Sequence, residues 1–121
     1  MKKSAIYTCV TIVLGTMLFA SRPLARAGEA PKVVAISAKR FEFVPNEITL
    51  KKGEAVKLQL TTQDVSHGLF ARALKIDAEI NPGHTTEITV IPDTLGKFTT
   101  ICDQFCGVHH GNMKMTINVV E

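Results

Sequence analysis

Residues 97–121 read KFTTICDQFCGVHHGNMKMTINVVE, a strand, a reactive loop and a second strand in succession. From Met113 onward the residues alternate. Met113, Met115, Ile117 and Val119 share one face, and Lys114, Thr116 and Asn118 share the other. A period of two marks a half-buried β-strand. Lys97 to Ile101 is a second strand, and it runs straight into Cys102. The pattern predicts a loop, Cys102 to Met113, held between two strands at one end of a sheet.

The same alternation extends upstream. Val56, Leu58 and Leu60 face one way within Ala55–Thr61, with Lys57 and Gln59 opposed. Ile88 and Val90 share a face within Glu87–Ile91. Val33–Ala38, Phe41–Val44 and Glu47–Leu50 are further short β-branched or aromatic runs. Pro45-Asn46, Lys51–Glu54, Asn81-Pro82-Gly83, Pro92-Asp93 and Leu95-Gly96 punctuate them as turns. Gln63–Ala73 is less regular and holds His67, which is expected to follow a strand. No helical period lasts beyond a turn or two. Short strands with turn signals between them predict an all-β sandwich.

The first 27 residues differ. Lys2 and Lys3 precede an uncharged run from Ala5 to Ala20, and Ala25-Arg26-Ala27 ends the segment. This is the pattern of a secretory signal peptide. The run is 16 residues, short of the roughly 20 that span a bilayer. Retention as a short N-terminal anchor is the alternative, and membrane contact is expected only in that case. Cys9 lies inside the run and is assigned no function. Residues 28–32 are a short polar leader and 33–121 a single domain. Removing 1–27 turns a net charge of +3 into −1, since the segment holds four basic residues and no acid. No basic stripe follows, so a nucleic-acid partner is not expected. Export predicts a periplasmic or other extracytoplasmic location.

Within twelve residues the loop offers two thiols, imidazole and a thioether: Cys102, Cys106, His110 and Met113. Thiolate and thioether are soft donors and imidazole is borderline, a set that suits copper. It does not suit calcium or magnesium, which take oxygen. One Cys, two His and a Met make a mononuclear blue-copper set. The additional cysteine asks for a second metal. Other readings are open on the residues alone. Cys102 and Cys106 can pair as a disulfide in an oxidising compartment. Cys2His2 is a zinc set, although Met113 and a β-sandwich argue against it. Met113 by position alone is core packing, as Met115 is expected to be. His67 is expected to be a ligand, because two cysteines with a single histidine leave a site a donor short. His109 is expected to face solvent and His84 to sit in a turn. Phe105 is expected to be a hydrophobic wall, and Asp103 exposed or bonded to nearby backbone.

The segment C-D-Q-F-C-G-V-H-H-G-N-M resembles the C-x3-C-x3-H-x2-M loop of the binuclear copper (CuA) domain of cytochrome c oxidase subunit II and nitrous oxide reductase. F-E-F-V-P-N-E-I-T-L-K-K-G, D-V-S-H-G, I-N-P-G and L-G-K-F are similar as well, so the resemblance runs from about Lys39 to Val120. It implies a cupredoxin-like Greek-key β-sandwich and two copper ions bridged by Cys102 and Cys106. It also implies that His67 and His110 each cap one ion, and that Met113 and the Gln104 carbonyl are weak axial ligands. The implied function is one-electron transfer, without a catalytic residue, to or from a redox protein such as a c-type cytochrome or a terminal oxidase. The domain lacks tryptophan, which puts the usual cytochrome c docking route in doubt. The alternative function is copper delivery or storage with one Cu(I) per chain.

Overall fold

The computed structural model describes residues 31–121. The expected signal peptide, Cys9 and the start of the leader lie outside the described residues. Nine strands follow in order: β1 Lys32–Lys39, β2 Glu42–Val44, β3 Glu47–Lys51, β4 Val56–Thr62, β5 His67–Ala71, β6 Ile76–Ile80, β7 Thr86–Val90, β8 Gly96–Ile101 and β9 Lys114–Val120. They form two sheets, β2-β1-β4-β7 and β3-β9-β8-β5-β6. The chain crosses from one sheet to the other repeatedly, so neither sheet is a simple meander. Parallel pairs β1–β4 and β3–β9 tie distant parts of the sequence, and the other pairs are antiparallel. No helix among the described residues is long and apolar enough to cross a membrane.

The two sheets bury their apolar faces against each other. Leu58 and Leu60 of β4 and Ile117 of β9 are fully buried, with Phe43 and Met115 almost so. The alternation read from the sequence is the cause: every second side chain of β4 and of β9 points inward. The edge strands limit their own pairing. β2 is only three residues long and β3 carries a charge at each end.

Two strands lie outside those predicted. His67 follows β4, as expected, but it also opens a strand of its own, β5. Four of the five β5 residues are buried, so the alternation that marks a half-exposed strand is missing there. β6 is the second, with Ile76, Ala78 and Ile80 buried between exposed Asp77 and Glu79. A 3-10 turn, Arg72–Leu74, separates β5 from β6, with Lys75 in the left-handed region at φ 57°.

The topology places the loop beside His67. β8 and β9 are antiparallel neighbours, and the Cys102 N–H donates to the Met113 carbonyl at 3.1 Å. That bond pinches the loop at its base. β5 lies antiparallel along the other side of β8, with Phe70 opposite Ile101. The start of β5, His67 and Gly68, therefore runs past the end of β8 and lies beside the loop at Asp103 and Gln104.

Candidate metal centre

The two loop sulfurs are 3.9 Å apart and both cysteines are free thiols. This is well beyond the roughly 2.05 Å of a disulfide. Each sulfur has its own imidazole. His67 Nδ1 lies 3.9 Å from Cys102 Sγ, and His110 Nδ1 lies 3.7 Å from Cys106 Sγ. Met113 Sδ is 3.8 Å from Cys106 Sγ, and the Gln104 carbonyl oxygen is 3.2 Å from Cys102 Sγ. The donor atoms of His67, Cys102 and Cys106 all lie within 4.8 Å of one another. The structure thus brings together all six residues singled out from the sequence. His67, Cys102, Cys106 and Met113 are buried, while Gln104 and His110 are half-buried.

Local structure explains the convergence. Three turn bonds fold the second half of the loop. The His110 N–H donates to Gly107 O and the Asn112 N–H to His109 O, and the Met113 N–H returns to His110 O. They form a 3-10 turn, His110–Asn112, that swings Met113 back under Cys106. Gly107 has φ +143°, a conformation L side chains rarely adopt. A Cβ there would also lie 2.8 Å from the Phe41 ring. Gly68 lets β5 approach the loop, and its N–H points at Cys102 Sγ at 3.5 Å.

Residues that sequence reading did not single out hold the donors in place. Asp64 Oδ1 lies 2.8 Å from His67 Nε2, and Asp64 Oδ2 accepts the Arg40 backbone N–H at 2.8 Å. Burial alone would raise the Asp64 pKa, but the bonds from Arg40, His67 and Val65 together bring it well below the usual carboxylate range. An ionised carboxylate only accepts, so His67 carries its proton on Nε2. Its Nδ1 lone pair is then free on the sulfur side, an arrangement common for metal-binding histidines. Arg40 Nε donates to the Cys106 carbonyl at 2.7 Å. The only signal for Asp64 was a carboxylate three positions before a histidine. Arg40 had none.

His109 is exposed and meets Phe41 edge-on at 5.2 Å. His84 is an exposed turn residue, Asp103 is exposed, and Met115 is core. Phe105 corrects an expectation. It is 82% exposed, with Val108 nearby in sequence at 90%, so it is not a buried wall. The loop directs its cysteines inward and the Phe105 ring outward, where it lies tilted 6.0 Å from the ring of His110.

The donor chemistry fits copper. At about 2.3 Å per metal–sulfur bond, an ion can touch both sulfurs from either side of the line joining them. Two soft sulfurs, two imidazoles, a thioether and a carbonyl are on hand for such ions. Burial and the neighbouring Cys102 push the Cys106 thiol up to about 11. Without metal it therefore keeps its proton at neutral pH, and loading must displace it. Apparent copper affinity is expected to fall about tenfold for each pH unit lowered, per proton released. Chelator competition at several pH values checks this; an affinity flat between about pH 6 and 8 would contradict it.

A β-sandwich with a buried sulfur–imidazole cluster at one end defines a class of metal-site domain. The chain belongs to the cupredoxin-like domain family, whose model matches residues 10–119. It is 30% identical over 101 residues to cytochrome c oxidase subunit 2 of Thermus thermophilus, covering 84% of this chain and 75% of that one. A second subunit 2 sequence from the same species, equally similar, is spanned for 60% of its length. Nitrous-oxide reductase of Cupriavidus necator is 33% identical over 92 residues, 73% of this chain but 14% of the reductase. Among solved structures, the periplasmic domain of subunit II of the Bradyrhizobium japonicum cytochrome oxidase superposes with a TM-score of 0.70. There the identity is 21%, covering 77% of this chain and 86% of that domain, a likeness of fold.

Proposed function

We propose that this chain is an exported electron-transfer protein that holds two copper ions in one centre. The observation that carries the reading is the pair of free thiols 3.9 Å apart, each with its own imidazole. Copper bound there would supply a one-electron couple. Cys102 and Cys106 would hold the ions as the two shared thiolates, and His67 and His110 would each supply an imidazole to one of them. Met113 and the Gln104 carbonyl would be the weaker donors. The protein's part is to fix these atoms and to exclude water. The buried sulfurs, His67 and Met113 do both, because a ligand set that moves little costs little reorganisation per electron. The reading is of a carrier rather than a catalyst in its own right. Residues 1–27 serve as an export signal, or as an anchor if retained, and 33–121 as the carrier domain. The partner is a redox protein such as a c-type cytochrome or a terminal oxidase. The oxidase subunits and the reductase among the relatives support that choice, as the periplasmic neighbour supports the location.

Delivery of a single Cu(I) is the competing reading. A site that hands its ion on needs accessible donors, and here both cysteines are only 3% exposed. Mass measurement of the loaded chain under non-denaturing conditions separates the two. Two coppers per chain are expected; one per chain would support delivery. Met113→Leu is expected to keep both ions and change the reduction potential, because the weak axial ligand tunes it. Voltammetry of the loaded variant checks this; an unshifted potential would remove Met113 from the ligand set.

A further inference from the structure

We propose that Arg40 is a positioning residue for the metal centre, tying the cysteine loop to the His67 imidazole from the opposite sheet. The inference rests on the two-copper reading. Arg40 lies in the turn between β1 and β2, 66 positions from Cys106. Its Nε–H donates to the Cys106 carbonyl at 2.7 Å. Its backbone N–H donates to Asp64 Oδ2 at 2.8 Å, and Asp64 Oδ1 accepts from His67 Nε2 at 2.8 Å. A single residue thus reaches both ligand-bearing segments, one through its side chain and one through its backbone.

The next residue closes the same contact. The Phe41 ring fills the space a side chain on Gly107 would need and meets His109 edge-on at 5.2 Å. The turn 40–41 therefore lies across the loop like a strap. Arginine suits the task because Nε–H has a fixed direction within a planar, permanently charged group. The residue is exposed, so its outer nitrogens stay in water.

The cation also has an electrostatic consequence. Adding one electron to the centre makes it more negative, and a nearby positive charge favours that state. Removing the charge lowers the reduction potential, by an amount that salt diminishes because the group is exposed.

The test uses Arg40→Gln and Arg40→Lys. In the copper-free full chain, amide hydrogen exchange at His110 and Asn112, whose N–H groups are bonded within the loop, is expected to quicken about tenfold in Arg40→Gln, in line with loss of one charged hydrogen bond. In the loaded protein, Cu(I) affinity measured against a chromogenic chelator is expected to weaken about 10–100-fold. The potential falls, and Arg40→Lys, which keeps the charge, recovers most of that fall. A wild-type value for either the loop exchange or the potential of Arg40→Gln overturns the proposal. Should Arg40→Gln not fold, the exchange measurement passes to Arg40→Lys, where a wild-type loop does the same. A wild-type chain holding one copper tells against the two-copper reading, while exchange in the copper-free chain still judges Arg40.

Discussion

Cys106→Ser is expected to lose the two-copper form outright. Cys106 Sγ is the hub of the cluster, 3.9 Å from Cys102 Sγ, 3.7 Å from His110 Nδ1 and 3.8 Å from Met113 Sδ. Serine offers a harder oxygen that copper in its reduced state disfavours. Loss of an outer partner alone typically costs about 10–100-fold in metal affinity, so loss of a bridging ligand should exceed about a hundredfold. Cys102→Ser should do the same, since Cys102 Sγ is the sulfur beside His67 and the Gln104 carbonyl. The check is copper per chain together with the absorption of the loaded variants. A full complement with an unchanged spectrum in either variant would contradict the bridging role.

Ile117→Ala is expected to cost a large part of the fold's margin. Ile117 is fully buried in β9, between Ile48 of β3 and Phe98 of β8. Truncating such a side chain costs about 2–5 kcal/mol in lost burial and residual cavity. A domain of this size has about 5–15 kcal/mol in total. The thermal midpoint of the copper-free protein should fall by roughly 8–40 °C, at about 4–8 °C per kcal/mol. The site would suffer through the same strand, because Met113 and the pinch at Cys102 hang from the start of β9. Val44→Ala, at an edge strand and 46% exposed, is the contrast and should change little. A midpoint for Ile117→Ala within a few degrees of wild type would show that β9 does not anchor the core.

How much of this was legible in the sequence depends on the range of each signal. β4 and β9 were plain because alternation is local and each strand has one wet face. The loop was plain because its donors sit within one short stretch. β5 was hidden because burial of His67, Gly68 and Leu69 in succession erases the alternation. β6 had the pattern in Ile76, Ala78 and Ile80, but it is five residues long and follows an irregular segment. The support for the site was out of reach for a different reason. Arg40 meets Cys106 across 66 positions and the gap between two sheets, and no local pattern encodes that pairing. Phe105 failed because apolar character does not by itself say which way a loop side chain points; exposed apolar residues are common.

The same contrast explains the division of labour in the site. The loop supplies chemistry through residue type and spacing. The first sheet and its connections supply position, through Arg40, Phe41 and the Asp64 carboxylate. A change in the loop removes ligands; a change in the strap leaves them present but less well held.

Electron paramagnetic resonance of the oxidised, fully loaded protein probes the central claim most directly. One unpaired electron coupled equally to two copper nuclei is the predicted result. A spectrum with each electron confined to a single copper nucleus, or a silent protein whose cysteines have joined as a disulfide, would contradict it.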